Sequence, residues 1–190
     1  MPSLENNFKE LIDRIQQGRE FSSSSFEPVY YLVFHPREIL DVKRTTPAWT
    51  ARLKNDGWNV HRFSMAEHVL DILGNHPLRK VWLGADRQRP LNWERTNQAM
   101  ANALEKGQLA ARLKDLLDSL KGNEKAIVLV TDVEALHPYM RIGAIEGQLA
   151  GSFSVPTVIL YPGERTGKSK LRFLGFYPDD GNYRSVHVGG

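Results

Sequence analysis

The sequence predicts an α/β fold: one three-layer domain over residues 1–190, with a mostly parallel sheet, helices on both faces and a C-terminal antiparallel edge hairpin. Three observations predict it. Apolar runs at residues 29–34, 126–130 and 155–161 have strand length and lack the alternation of a half-exposed sheet, so both faces of each are expected to be covered. Segments with helical spacing separate these runs, as parallel strands require. A Pro162-Gly163 step and a further run at residues 171–176 follow the last of them and give the hairpin.

Taken in order, Leu4, Phe8, Leu11, Ile12 and Ile15 recur at helical spacing and Gly18 follows as a stop, which predicts an amphipathic N-terminal helix over residues 3–18. Residues 21–25, Phe-Ser-Ser-Ser-Ser, form a short polar connector. The run at 29–34 is the first strand, and His35-Pro36-Arg37-Glu38 ends it. Thr46 before Pro47 has the form of an N-cap with proline in first helical position, so the next helix is expected to begin there, carry Trp49 and Leu53 inward and stop before Gly57. Residues 58–63 alternate and predict a second strand. Ser64-Met-Ala-Glu67 is a capping-box pattern ahead of Val69, Leu70, Ile72 and Leu73, so a helix starts there and His76-Pro77 breaks it. A helical insertion is expected over about residues 90–122, as two helices meeting near Gly107 and packed through Leu109, Leu113, Leu116, Leu117 and Leu120. The tail from Tyr177 is loop, with a last short strand at residues 183–188.

Composition narrows the function. A 41% hydrophobic and 25% charged chain has the balance of a globular protein. The absence of cysteine excludes a disulfide framework, a thiolate zinc site and a cysteine nucleophile. No apolar run approaches the length of a membrane span and the N-terminus is polar, so neither a span nor a signal peptide is expected, and a cytoplasmic setting is. The net charge of +3 is spread along the chain, with its densest group at Arg165, Lys168, Lys170 and Arg172. Nucleic-acid affinity needs phosphates neutralised together, so a solvated surface is preferred to a DNA-binding patch.

Few motifs carry chemistry. Gly163-Glu-Arg-Thr-Gly167-Lys168-Ser169 approaches a phosphate-binding loop but is one residue short and precedes a strand, where such a loop must open a helix; it is read as a hairpin turn. Residues 35–38 contain no glycine, so the first strand has no nucleotide cradle either. Residues 126–132 resemble the strand that ends in a magnesium-holding acid in nucleotide hydrolases. Thr131-x-x-Glu134 equally suits a cap for a helical turn beginning at Asp132, and the cap is preferred because no cradle stands beside it. The six histidines show no metal-binding spacing and no G-x-S-x-G elbow is present, so no catalytic residue, metal or cofactor is assigned. Tyr161, Pro162, Gly163 and Arg172 form a compact binding candidate: the glycine for a turn, the arginine for a carboxylate or phosphate. Asp132 and Glu134 join them as candidate interaction residues.

Val155-Pro-Thr-Val-Ile-Leu-Tyr-Pro-Gly163, Leu171-Arg-Phe-Leu-Gly175 and Tyr183-Arg184 together resemble the C-terminal part of the BrxB family, a component of bacteriophage exclusion (BREX) defence systems. Val130-Thr-Asp-Val-Glu-Ala-Leu-His-Pro138 with Tyr139 and Arg141, the strand from Tyr30 to Arg37, and Gly57-Trp58 extend the resemblance over nearly the whole chain. It implies a nucleotide-hydrolase-like sheet without the phosphate loop. It also implies a non-catalytic partner in an anti-phage complex that includes PglZ, a large ATPase and a DNA methyltransferase. It carries over no catalytic residues. Two other readings stay open: a diverged nucleotide-binding or hydrolytic enzyme using Asp132, Glu134 and Arg172, and a DNA-binding accessory subunit using the basic hairpin.

Overall fold

A computed structural model describes residues 3–20, 27–167, 170–181 and 185–190. The whole Ser-rich connector at residues 21–25, Lys168 and Ser169 of the basic hairpin, and Tyr183 and Arg184 lie outside the described residues.

The chain order is α1 (Leu4–Glu20), β1 (Val29–Phe34), a 3-10 turn (Pro36–Glu38), α2 (Ile39–Asn55), β2 (Asn59–Ser64), α3 (Met65–Gly74), α4 (Arg79–Gln88), α5 (Trp93–Leu104), α6 (Gln108–Ser119) and β3 (Ala126–Thr131). A second 3-10 turn (Val133–Leu136), α7 (Ile142–Gln148), β4 (Thr157–Arg165), β5 (Lys170–Phe173), β6 (Asp180–Gly181) and β7 (Val186–Gly189) complete it.

The main sheet runs β2-β3-β4-β1-β7, and every pairing along that path is parallel. The strands that read as continuous apolar runs are the ones covered on both sides: all six residues of β1 and of β3 are buried. Alternate residues enter two separate cores. Tyr31, Val33, Val128, Val130, Ile159 and Tyr161 pack with α3, α6 and α7. Leu32, Phe34, Ile127, Leu129, Val158 and Leu160 pack with α1 and α2, where Phe8 stacks on Trp49 with ring centres 4.2 Å apart. The molecule is an α/β three-layer structure with helices on both faces, as its patterning requires.

The expected hairpin is present and springs from the middle of the sheet. Residues of β4 up to Pro162 pair with β1, and the strand then projects beyond the parallel region so that Gly163 to Arg165 pair antiparallel with β5. Gly163 is extended here and makes no turn. Its need is for space, because a Cβ would run into the Arg172 carbonyl and the Tyr161 ring.

Two expectations about helices require correction, and one helix had no expectation behind it. α1 passes through Gly18 and ends at Glu20; a Cβ on Gly18 would stand 3.1 Å from the Tyr30 hydroxyl, so the glycine permits close packing and does not stop the helix. α2 begins seven residues before Thr46, at Ile39, and carries Pro47 inside it. The His35 side chain caps the preceding 3-10 turn, and the helix grows out of that turn. Thr46 therefore donates its hydroxyl to the Val42 carbonyl one turn back, where an N-cap residue would accept from the turn ahead. α4 is a further helix in the segment after His76-Pro77, centred on buried Trp82, which stacks against His76. Ser64 does cap α3, and Gly107, at φ 82°, does separate α5 from α6.

Candidate functional site

β3 ends at Thr131, and Asp132 then takes the left-handed conformation, φ 59° and ψ 38°. Aspartate tolerates that region better than most residues, at a cost glycine would avoid. The short helical turn expected after Asp132 exists, but the aspartate carboxylate makes no cap bond to it. Its partners lie on other elements.

Oδ2 accepts hydrogen bonds from Ser64 Oγ and Thr131 Oγ1, each at 2.7 Å. Ser64 and Thr131 are paired in register at the carboxyl ends of β2 and β3, so the sheet itself aligns these two donors. Lys43, on the second turn of α2, places Nζ 2.8 Å from Asp132 Oδ1 and 2.6 Å from Glu134 Oε1. Arg62, near the end of β2, has its NH1 group 3.8 Å from Asp132 Oδ2 and pairs through NH2 with Glu67. Burial alone would push the Asp132 carboxyl up, but the donors from Lys43, Ser64 and Thr131 outweigh it and hold the group below the usual carboxylate range. Burial would likewise lower Lys43, and its bonds to Asp132 and Glu134 outweigh that and hold the ammonium above its ordinary value. The shifts of Asp132 and Lys43 both favour the ion pair between them.

Lys43, Arg62, Thr131, Asp132 and Glu134 form one end of a cavity of about 450 Å³ between α2 and the carboxyl ends of the strands. Phe34, Ile39, Val42, Pro47 and Leu160 supply its apolar walls, and Thr46 and Thr50 face it from α2. Open parallel sheets bind ligands at this end of their strands. On the β1 side, a capping box closes the start of the 3-10 turn: His35 Nδ1 accepts from Arg37 N at 3.1 Å, and Glu38 Oε2 accepts from His35 N at 2.9 Å.

The other candidate residues are elsewhere. Tyr161 is buried on the opposite face, edge-on to Tyr31 at 5.5 Å and beside Phe173. Burial pushes its phenol far above the ordinary range. Pro162 pairs with Phe34 within the sheet. Arg172 sits on β5 and donates to Asp179 Oδ1 at 3.0 Å. The structure thus brings Asp132 and Glu134 together and separates both from Tyr161, Gly163 and Arg172. Lys43, Arg62 and Ser64 are the members of the site that motif reading missed. Their common signal is position, since each belongs to a carboxyl end of a strand or to the helix that follows one.

A second polar cluster lies beneath α7. The Tyr31 hydroxyl donates to Glu146, Tyr31 meets the His187 ring edge-on at 5.3 Å, and Ser185 Oγ stands 3.2 Å from His187 Nε2. Burial raises the Glu146 carboxyl against the Tyr31 bond, with Glu27 and Asp180 adding to the rise, and burial with the charge of Arg165 pushes His187 down to about 4.

Among the described residues, no group of three or more His, Cys, Asp or Glu side chains is placed to hold a metal ion, and no helix is long and apolar enough to cross a membrane. A family model described as BREX protein BrxB matches residues 62–188, about two thirds of the chain. No curated protein and no solved structure matches it.

Proposed function

The chain belongs to the BrxB family of BREX phage-defence proteins, and on that premise we propose that it is a non-catalytic, cytoplasmic interaction component of a bacterial BREX complex that docks a larger partner such as PglZ. The observation that supports the non-catalytic part is that a lysine stands between the two acids at the end of β3. The Lys43 ammonium stands between Asp132 and Glu134, where a metal-holding pair would need its cation. After β1, Pro36 has no N–H to offer, and Glu38 brings a carboxylate to the turn where phosphate oxygens would have to approach. Phosphoryl chemistry depends on a metal ion and on backbone donors turned towards the phosphates; here a lysine stands between the two acids and the turn after β1 carries a proline and a carboxylate.

The docking part is supported by apolar side chains turned to solvent from the start of α4 to the start of α5. Leu78, Val81, Leu83, Leu91 and Trp93 are all exposed, Leu91 at 94%. Large exposed apolar residues gathered in one segment are a feature of interaction surfaces.

The test is co-purification of the tagged protein with the other BREX components at moderate and high salt. A complex with PglZ that survives high salt, is lost in the Leu91→Glu/Trp93→Glu variant and persists in Asp132→Asn is the expected result. Solitary elution of the folded protein, or a turnover that vanishes in Asp132→Asn, would sink the reading.

A further inference from the structure

We propose that the cavity beneath α2 is a binding site for a small amphipathic monoanion, an apolar body carrying one carboxylate. This is independent of the docking reading. At about 450 Å³ the cavity falls within the size range of small-molecule sites, and its apolar walls with a few convergent polar groups at one end have the composition of such sites. Phe34 and Leu160 from two neighbouring strands and Val42 and Pro47 from α2 supply contact for the body.

The sign of the ligand follows from which charges are accessible. The Asp132 and Glu134 side chains are 14% and 22% exposed, whereas those of Lys43 and Arg62 are 45% and 48% exposed. Both cations are thus more exposed than the two carboxylates that line the cavity with them, while Glu67, 65% exposed, holds Arg62 NH2 and is not among the lining residues. Asp132 is saturated by Lys43, Ser64 and Thr131. Arg62 is not: NH2 is engaged by Glu67, but NH1 at 3.8 Å from Asp132 is beyond hydrogen-bond length and has donor capacity to give. Lys43 has three ammonium protons and two carboxylate partners. A cationic ligand would face both positive groups. A phosphate ester, with its second negative charge, would meet two carboxylates beside two cations. One carboxylate on an apolar body fits the remaining donors and the walls together.

Anilinonaphthalene sulfonate, an aromatic body with one anionic group, is the probe. The expected result is saturable one-to-one binding to the folded chain, displaced by octanoate but not by octylamine or inorganic phosphate. Arg62→Gln, at a half-exposed strand position, weakens binding roughly tenfold, the scale of one charge-assisted hydrogen bond. Thr46→Trp, which fills the cavity from α2, abolishes it; if that variant does not fold, Arg62→Gln decides alone. The proposal is overturned by the absence of saturable binding, by displacement with octylamine in place of octanoate, or by unchanged affinity in Arg62→Gln.

Discussion

At the carboxyl edge of the sheet, half-buried Asp132 sits among donors: Lys43 at 2.8 Å and two hydroxyls at 2.7 Å. Beneath α7, on the other face, Glu146 has the Tyr31 hydroxyl, and the negative charges of Glu27 and Asp180 work against its ionisation. The same sheet thus treats two partly buried carboxyls in opposite ways. Where a lysine can reach, burial is offset by pairing and the charge is kept. Where no cation among the described residues pairs with it, burial and neighbouring acids raise the Glu146 carboxyl against the Tyr31 bond, and beside it burial with the positive charge of Arg165 lowers His187. A charge kept at the mouth of a cavity anchors the lysine that faces it. A carboxyl raised beneath a helix, as at Glu146, instead answers to a single hydroxyl.

The largest expected effect separates the two regions by stability. Asp132→Ala removes three donors' common acceptor and leaves alanine in the left-handed region, so it is expected to cost about 3 kcal/mol in urea denaturation. Tyr31→Phe, which removes one hydroxyl from the α7 cluster, is expected to cost about 1 kcal/mol. Equal costs would break the contrast.

Next is the acid limb of stability. His187 binds its proton less readily folded, at about 4 against an ordinary 6.5, so its contribution is complete above 6.5 and is lost as pH falls towards 4. Asp132 also has its folded value lowered, so its contribution is complete above its ordinary 3.8 and is lost only as pH falls further, through the folded value. Glu146, raised, runs the other way and regains stability as it is protonated. Denaturation midpoints against pH should therefore fall in two stages. His187→Asn flattens the upper stage alone and Asp132→Asn the lower alone; a single stage abolished by either variant would merge the two regions into one.

The finer test is Lys43→Met. With its cation gone, Asp132 retains two hydroxyl donors but faces Glu134, and a loss of about 2 kcal/mol is expected. The carboxyl of Asp132 should then titrate higher, which carbon-detected NMR would read directly; an unmoved titration would mean that the hydroxyls alone hold the charge.

Much of the fold was legible. β1 and β3 read as unbroken apolar runs because helices cover them on both sides, and Ser64 and Gly107 punctuate helices by local rules that need no tertiary partner. Pro47 misled for the converse reason. Its preference for a first turn is local, and it yielded to a helix already started by His35 and held by Trp49 and Leu53 against the sheet. α4 escaped because its charged surface hides a single buried anchor, Trp82.

The candidate site was legible only in its acids. Asp132 follows an apolar strand, a signal carried by adjacent residues. Lys43, Arg62, Ser64 and Asp132 are dispersed along the chain, and no spacing rule links them. By itself, the sequence determined most of the strands and helices, since burial periodicity and capping act over a few residues. That these four side chains meet was decided by the tertiary structure: β2 lies beside β3 in register, and α2, leaving β1 two strands from β3, packs across the face between them. A charge network of this kind is set by strand order, and strand order is a property of the whole sheet.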